Sequence, residues 1–294
     1  MNDPESTIAL KRPGPAGVRM GTVRLTGTVP GWEILFWLLP VAAWFVFPED
    51  LPLLTQIGIF ALFALSLDLV LGVAGMLTLG HAAFFGLGAY AAGMLPAYLG
   101  IGDPLLGLAA AAALAGAAGA LTSPLMLRGG GLSQLMVSIG VAAMLHEAAN
   151  KATGFTGGVD GLPGVSFDPL FGLWDFDLWG RTAYLYTTAV VFLLFLVLRM
   201  VLTSPYGVSL QGIHQNPARM PALGVDVKGR LTAAWILGAA IAGVAGALLT
   251  QTTQFVSLGV LGMDKSAEVL LMLIMGGAGR LYGARSEERR VGKE

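Results

Sequence analysis

The chain has 294 residues, of which 55% are hydrophobic and only 12% are charged. Its formal net charge is −1, and its mean hydropathy is +0.73. Because soluble domains carry about 25% charged residues, this composition argues against a soluble enzyme, a disordered chain or a nucleic-acid-binding protein. It predicts an all-α polytopic membrane protein that lies in a lipid bilayer and has no nucleic-acid partner.

Eight apolar stretches are long enough, or nearly long enough, to cross a hydrocarbon core of about 30 Å as helices. Three of them are weak as full spans and could be re-entrant. The first is short and contains Pro40, the third ends near Pro96, and the last is broken by glycines. We predict about eight transmembrane segments with Gly-interrupted helices, at residues 32–47, 53–73, 77–97, 105–127, 132–149, 183–201, 231–250 and 267–283.

The distribution of basic residues predicts the orientation. With a cytoplasmic N-terminus and alternating spans, ten Lys and Arg residues lie inside and three lie outside. The positive-inside rule favours this arrangement over its inverse. The chain is therefore expected to have a cytoplasmic N-terminal tail at residues 1–31 and a transmembrane domain at residues 32–284.

The last ten residues, 285–294, differ sharply in composition from the rest of the chain. Seven of them are charged, against 28 of the preceding 284. One interpretation is a charged cytoplasmic tail. The favoured interpretation is a non-native tail, translated from sequencing-adapter sequence joined to a truncated gene. The native C-terminus is then missing, and the full span count can exceed eight.

Motifs for catalysis and for metal or nucleotide binding are absent from the sequence. There is no P-loop, no His-Glu-x-x-His string and no cysteine, so we expect no enzyme activity, no metal site and no cofactor. Ionisable residues within the predicted spans are few, namely Asp68, His81, His146 and Glu147. Proton-coupled carriers usually need a buried relay of such groups, so this scarcity weakens the hypothesis of a secondary carrier.

The segment from Ser66 to Tyr90 is the densest in polar and glycine residues within the spans. Glycine-interrupted helices at membrane depth are typical of a substrate path. The alternative is ordinary helix packing, with His81 bonded to a neighbouring carbonyl. The predicted path residues are Ser66, Asp68, Thr78, Gly80, His81, Phe84, Phe85 and Tyr90.

Two connecting loops carry further signals. The outer connection, at about residues 150–182, contains the string Thr-Gly-Gly-Val-Asp-Gly-Leu at 156–162. It is either a solvated connection with tight turns or a vestibule or docking surface for a substrate-delivering partner. In the long inner loop, Asn216 and Pro217 predict a helix start and Gly224 a helix end. The expected helix has about two turns, with Met220 and Leu223 as apolar contacts. It either docks a cytoplasmic partner or lies on the inner leaflet.

Four segments together resemble the permease subunits of branched-chain amino acid ABC importers. The resemblance extends from about residue 53 to residue 283 and is less specific for the cargo than for the family. The matching pieces are Ser66-Leu67-Asp68 through Gly80-His81 to Gly88-Ala89-Tyr90; the 156–162 string; Ser204-Pro205-Tyr206-Gly207 through Ala222-Leu223-Gly224-Val225; and Leu270-Leu271-Met272 through Gly276-Gly277-Ala278-Gly279 to Tyr282-Gly283.

The resemblance implies a permease that moves leucine, isoleucine or valine across a bacterial-type inner (plasma) membrane. Its partners would be a second permease subunit, two cytoplasmic ATPase subunits that bind the ATP, and a periplasmic or lipid-anchored amino-acid-binding protein. Alternative cargoes are urea, short amides or a sugar, and an ion-coupled secondary carrier is a more distant alternative. The inner helix would be the ATPase-coupling element, formed by Asn216, Pro217, Ala218, Arg219, Met220, Ala222, Leu223 and Gly224.

The chain departs from the family pattern in two places. Coupling helices usually lack proline, whereas Pro221 here denies Pro217 a backbone hydrogen bond, so the helix is expected to be about one turn long or kinked. Family members also continue past the 276–283 region with a proline and further apolar residues. The charged tail takes their place here, in agreement with the expected truncation.

Overall fold

The structure is a computed structural model that describes residues 38, 40, 42–162, 165–169 and 180–277. Within these residues the fold is helical and no strand occurs, so the prediction of an all-α protein is confirmed. We label the eight helices of more than ten residues α1 (Leu51–Leu67), α2 (Ala82–Met94), α3 (Pro104–Met126), α4 (Leu132–Lys151), α5 (Arg181–Thr203), α6 (Pro205–Gln215), α7 (Val227–Thr253) and α8 (Met263–Gly276).

Six helical segments of the described residues are long and apolar enough to cross a membrane. They correspond to the second through seventh predicted spans and establish a polytopic membrane protein. Two of them end in a π-helical turn, at Asp68–Val73 after α1 and at Leu95–Leu99 after α2. The six segments are Leu51–Val73, Ala82–Leu99, Pro104–Met126, Leu132–Lys151, Arg181–Thr203 and Val227–Thr253.

The two remaining predicted spans, and both predicted tails, are not decided by the described residues. Half of the first span, at 32–47, falls outside them, although residues 42–46 are helical. The last, at 267–283, is described only to residue 277, and its helix α8 has 14 residues. The tails at 1–31 and 285–294 lie outside the described residues, so the count of eight and the domain limits stay predictions.

The start of the third predicted span is wrong. Residues 77–81 are not helical, and α2 begins only at Ala82. The backbone N–H of Leu79 donates to the Ser138 hydroxyl on α4 at 3.1 Å, outside any helical hydrogen-bond pattern. Gly75 has a φ of +74°, a conformation that favours glycine and turns the chain. The hydrogen bond to Ser138 therefore satisfies a backbone N–H that the sequence prediction had placed inside a helix.

Helix α7 is the most deeply buried of the six spanning segments and packs against α1, α2 and α3. Its glycines allow direct backbone contact with α2. A Cβ atom at Gly246 would overlap the carbonyl of Phe85, and one at Gly88 would overlap the backbone of Gly243. Small residues let membrane helices approach this closely, which fixes α2 and α7 as one unit.

Helix α4 lies at the periphery and exposes most of its apolar surface. Leu132, Met136 and Met144 are each about three-quarters exposed. On the same helix, a Cβ atom at Gly140 would meet nothing within 4 Å. Within the described part of the chain, this face is therefore uncovered and suited to contact with lipid or another membrane subunit.

Candidate functional site

A non-helical segment, residues 74–81, enters the helix bundle between α1 and α2. A Cβ atom at Gly80 would overlap the carbonyl of Ser138 on α4. The N–H of Ala82 donates to the Ser266 hydroxyl on α8 at 2.9 Å. Ser138 is the seventh residue of α4, so the segment contacts this apolar helix about two turns from its first residue. Thr78, Gly80 and His81 are buried there among protein groups, which is the condition under which a membrane protein tolerates irregular backbone.

His81 ends this segment and forms a buried hydrogen bond with Ser66 on α1. The distance from His81 Nε2 to Ser66 Oγ is 3.0 Å, and the Ser66 hydroxyl donates to the Phe63 carbonyl at 2.6 Å. Since the serine hydrogen is used in this way, we assign the donating proton of the pair to Nε2. The other ring nitrogen, Nδ1, has no hydrogen-bond partner in the described part of the chain. The expected bond to a neighbouring carbonyl is therefore replaced by one to a hydroxyl.

Aromatic rings enclose the imidazole of His81. The ring of Phe63 stacks on it with centroids 5.8 Å apart, and Phe84 and Trp235 approach edge-on at 5.9 and 6.3 Å. Trp235 is itself held by a 3.1 Å hydrogen bond from its indole nitrogen to Thr122. The pair of Ser66 and His81 is thus a small polar group inside an apolar, aromatic box.

The structure buries all eight predicted path residues but does not bring all of them together. Ser66, His81 and Phe84 form one cluster. Phe85 packs on Phe63, the ring that stacks on His81, with 4.6 Å between the two ring centroids. Thr78 accepts locally from the N–H of Gly80, which itself lies against α4. Asp68 is buried in the π-helical turn, and Tyr90 lies further along α2 with its hydroxyl buried and without a partner among the described residues.

The inner loop contains a helix that the sequence interpretation missed. Helix α6 occupies residues 205–215. Ser204 is its N-cap residue, and the Ser204 hydroxyl accepts a hydrogen bond from the N–H of Gly207. The sequence signal was present, because a serine followed by proline is a common helix start. Gly207 also packs directly on the backbone of Leu202, so α6 folds tightly back against α5.

The predicted two-turn helix from Asn216 to Gly224 is wrong in its middle and right at its ends. The Asn216 side chain accepts from the N–H of Arg219 at 3.1 Å, and Gly224 ends the segment with a φ of +77°. Between them lie hydrogen-bonded turns and one 3₁₀ turn, Pro221–Leu223. Pro221 has no N–H to continue an α-helix, which agrees with the expected shortening.

The two apolar side chains of residues 216–224 differ in exposure. Leu223 is 68% exposed, as expected for a docking contact. Met220 is half-buried, and its terminal carbon would lie 2.9 Å from a Cβ atom at Gly212 on α6. Met220 therefore also packs the loop against its own helix, and its role as a docking contact stays a prediction.

Two further contacts join the inner loop to the bundle. Arg230, at the start of α7, donates to the Ser209 hydroxyl, and its guanidinium lies 5.9 Å from the ring centroid of Tyr206. The Tyr206 hydroxyl in turn donates to the Arg230 carbonyl at 2.8 Å. Burial raises the pKa of Tyr206 to about 12, partly offset by the nearby guanidinium, so this hydroxyl remains a donor at neutral pH.

The second contact touches the non-helical segment directly. A Cβ atom at Gly75 would lie 3.0 Å from Cγ of His214 on α6. The inner loop thus contacts one end of the segment whose other end is His81.

The outer loop, residues 152–162, is a well-defined structure rather than a plain connection. The buried Thr156 hydroxyl donates to the Ala149 carbonyl at 2.7 Å, and the N–H of Leu162 donates to the Val256 carbonyl at 2.9 Å. A cavity of about 450 Å³ lies beside this loop. The expected tight turns are present, with Gly157, Gly158 and Gly161 at positive φ, whereas the vestibule interpretation stays a prediction.

Comparison with known proteins agrees with this architecture. Residues 51–285 match the model of the family described as "Branched-chain amino acid transport system / permease component". The chain belongs to this permease family. The match covers all six spanning segments and both loops described above.

Curated relatives in the permease family include bacterial and archaeal proteins. The high-affinity branched-chain amino acid transport system permease protein LivM of Escherichia coli (strain K12) is 30% identical over 258 residues, which cover 79% of this chain and 59% of LivM. LivM of Salmonella typhimurium (strain LT2) is also 30% identical, over 78% of this chain and 58% of the relative. A probable branched-chain amino acid transport permease protein LivH of Methanocaldococcus jannaschii is 39% identical over 77 residues, 26% of this chain and 24% of LivH.

This member of the permease family spans about three-fifths of the length of the LivM relatives it matches. No solved structure matches the chain significantly.

Several residues that contact the non-helical segment or the inner loop carry no local sequence signal. Ser138 and Ser266 bind the non-helical segment from helices distant in sequence, and Ser209 binds Arg230. Trp235 was detectable, because tryptophan usually lies at membrane interfaces and here it lies inside a spanning helix. Its partner in the box, Phe63, is one of many apolar residues in α1.

Proposed function

We propose that the chain is the membrane permease subunit of an ABC importer for the branched-chain amino acids leucine, isoleucine and valine. It lies in a bacterial-type inner membrane with its N-terminus in the cytoplasm. It works with a second permease subunit, two ATPase subunits that bind ATP, and a periplasmic or lipid-anchored binding protein. The family match over residues 51–285 carries this proposal.

The proposed substrate path includes the Ser66–His81 pair and the rest of the predicted path residues. Their surroundings are apolar and aromatic, which suits the passage of an aliphatic side chain. All of these residues are buried, so the path is closed in this conformation. Residues 74–81 lie outside the helical ladders and are held by a few side-chain bonds, so they can move without unfolding a helix. We propose that their displacement opens the path.

The proposed coupling element is the turn segment 216–224, with exposed Leu223 as its apolar contact to an ATPase subunit. Its movement reaches the bundle through the contacts of Arg230 with α6 and of His214 with Gly75. An alternating-access change needs an element with two arrangements that both sites can bias. The non-helical segment, which touches the inner loop at one end and Ser66 at the other, fits that requirement.

The exposed face of α4 is the proposed contact with the second permease subunit. Gly140 lies on this face, where a Cβ atom would meet nothing within 4 Å among the described residues. A glycine inside a helix is unfavourable by about 0.5–1 kcal/mol relative to alanine. Close approach of a neighbouring helix would explain its presence.

The test is ATP-driven uptake by the reconstituted complex. The chain is placed in proteoliposomes with its ATPase, second permease and binding-protein subunits, and uptake of labelled leucine is measured with and without ATP. We expect ATP-dependent uptake that excess isoleucine or valine inhibits. If urea, a short amide or a sugar inhibits uptake instead, that compound and not a branched-chain amino acid is the transported substrate. Uptake by this chain alone under a proton or sodium gradient would contradict the ABC mechanism.

A further inference from the structure

The outer cavity beside the Thr156–Gly161 loop lies on the face opposite the coupling segment. Helix α7 starts next to the inner loop and ends at Thr253, and the cavity begins at the next residue. The cavity has a volume of about 450 Å³, within the range of sites for small molecules. Its walls come from the outer loop and from the link between α7 and α8. The lining residues are Asp160, Gly161, Leu162, Val165, Ser166, Gln254 and Phe255.

The walls of this cavity are fixed by backbone geometry. Gly161 has a φ of +83°, and a Cβ atom there would lie 2.7 Å from both the Phe255 ring and the Val256 carbonyl. The hydrogen bond from Leu162 to Val256 ties the two walls together. A preformed site of this kind binds a small ligand without first having to order its own backbone.

One wall residue is held in an unfavourable conformation. Gln254 caps the end of α7 with a φ of +52° and is the only non-glycine residue at positive φ in the described part of the chain. Glycine is the usual residue at such a position. Strained residues that persist in a structure are concentrated at binding sites, because the side chain is needed there. At this position Gln254 supplies an amide group to the rim of the cavity.

The chemistry of the lining matches one class of ligand. Leu162 and Val165 are buried beneath the cavity, and Phe255 adds a half-exposed ring, so one side is apolar. Asp160 supplies a carboxylate, while Gln254 and Ser166 supply neutral donors and acceptors. A zwitterionic aliphatic amino acid presents an ammonium group, a carboxylate and an apolar side chain, which these three kinds of group can receive.

We propose that the outer cavity is a low-affinity binding site for a zwitterionic aliphatic amino acid. Asp160 pairs with the ammonium group, the Gln254 amide donates to the carboxylate, and the apolar side holds the side chain. This inference rests on the proposed function and adds to it an amino-acid-binding site on the permease chain itself. Because Asp160 and Gln254 are exposed, the interactions are screened and the dissociation constant is on the order of millimolar.

The site is connected to the proposed path by α2. A Cβ atom at Gly93, near the end of α2, would lie 3.2 Å from Val256 and 3.5 Å from Leu162. The residue before the start of α2 is His81. Leu162 and Val256, beside the cavity, therefore pack on one end of α2, and the other end of α2 lies at the Ser66–His81 pair.

The test is ligand binding to the full chain in lipid nanodiscs, measured by saturation-transfer difference NMR. The probes are leucine, 4-methylpentanoate, which lacks the ammonium group, and 3-methylbutylamine, which lacks the carboxylate. We expect D160N to weaken leucine binding about tenfold, equivalent to about 1.4 kcal/mol, and to leave 4-methylpentanoate binding unchanged. The matched control D168N removes another exposed outer carboxylate, which does not line the cavity, and is expected to have no effect.

A second variant separates binding from folding. Q254G removes the amide and also relieves the strained backbone, so the unfolding temperature should not fall while leucine affinity drops several-fold. F255A, which shortens the apolar side, should weaken binding of all three probes. Saturable leucine binding that is unchanged in D160N and Q254G, or no saturable binding to the parent chain, would overturn the inference.

Transport by the complete complex distinguishes this inference from the proposed function. If the parent complex takes up leucine and D160N raises the KM for uptake, the importer function and the outer binding site are both supported. If uptake is normal in KM and rate for D160N and Q254G, the outer site is refuted while the importer function stands. If the parent complex takes up no leucine, the proposed function itself fails.

Discussion

At the residue scale, the central feature is a hydroxyl–imidazole pair inside an aromatic box. Ser66 accepts from His81 and donates to the Phe63 carbonyl, so both of its hydrogen-bonding roles are used. A buried donor that loses its partner costs about 1–3 kcal/mol, which is a large share of a protein's total stability. The pair therefore helps to hold the end of the non-helical segment against α1.

Replacing Ser66 tests this role. S66A leaves the Nε2 proton of His81 without an acceptor, so we expect a loss of about 1–3 kcal/mol in stability and reduced leucine uptake. The measurement is the thermal unfolding midpoint of the purified chain in detergent. S133A, which removes an exposed hydroxyl on α4, is the control. Equal midpoints for the two variants would show that the pair does not stabilise the segment.

Gly88 tests the contact between α2 and α7. In G88A the new methyl group would overlap the backbone of Gly243, which cannot move aside as a side chain could. We expect a loss of at least about 1–3 kcal/mol, seen as a lower yield and unfolding midpoint of the isolated chain. G140A is the control, because a Cβ atom there meets open space, and it should be neutral or slightly stabilising. If G88A is as stable as G140A, the helices are not in backbone contact.

At the element scale, the inner loop consists of a rigid helix and a short turn segment with different tasks. Helix α6 is anchored by Met220, by the Arg230 contacts and by its fold against α5. The turn segment that follows projects Leu223 into solvent. In the proposed mechanism, a partner bound at Leu223 pushes or pulls on the turn segment, and the anchored helix α6 transmits that movement to α7.

Replacing Leu223 tests the docking role. L223D places a charge at an exposed position, so insertion and folding should be unchanged, whereas ATP-driven uptake and ATPase stimulation should fall at least about tenfold. L223M keeps the apolar surface and should retain most of the activity. M220D, by contrast, should destabilise the loop itself, because Met220 packs on α6. Normal uptake by inserted L223D would refute the docking role.

Replacing Tyr206 tests transmission. Y206F removes the hydrogen bond to the Arg230 carbonyl and keeps the ring beneath the guanidinium. We expect the ATPase rate of the complex to be retained while the amount of leucine moved per ATP falls severalfold. The measurement is the ratio of uptake to ATP hydrolysis in proteoliposomes. An unchanged ratio would show that coupling does not pass through this contact.

At the scale of the whole molecule, the long helix α7 separates the proposed coupling segment from the proposed outer site. Its 27 residues correspond to a length of about 40 Å, enough to cross a bilayer. The inner loop lies at its start and the outer cavity at its end. The chain contains no cysteine, so single cysteines can be labelled without background.

Orientation is therefore testable by cysteine labelling in intact cells and inverted vesicles. We expect L223C to react with a membrane-impermeant reagent only from the cytoplasmic side and F255C only from the opposite side. Both side chains are more than half exposed, so access is not limited by burial. Labelling of L223C only from outside would reverse the orientation and remove the basis for ATPase docking.

The sequence by itself determined the features that depend on local composition and local backbone geometry. A run of apolar residues is long enough to cross a bilayer whatever its neighbours are, so six of the predicted spans are present in the structure. Asn216 and Gly224 mark the ends of their segment because capping uses only adjacent residues.

Only the tertiary structure decided which distant residues meet. Ser66 and His81 are brought together by the turn at residues 68–75, and Trp235 reaches them from a helix that begins about 150 residues later. The hydroxyls of Ser138 and Ser266 take over backbone groups around the start of α2 and so shorten that helix. No local pattern encodes these bonds, because their energy depends on which side chains the packed helices place within about 3 Å of each other.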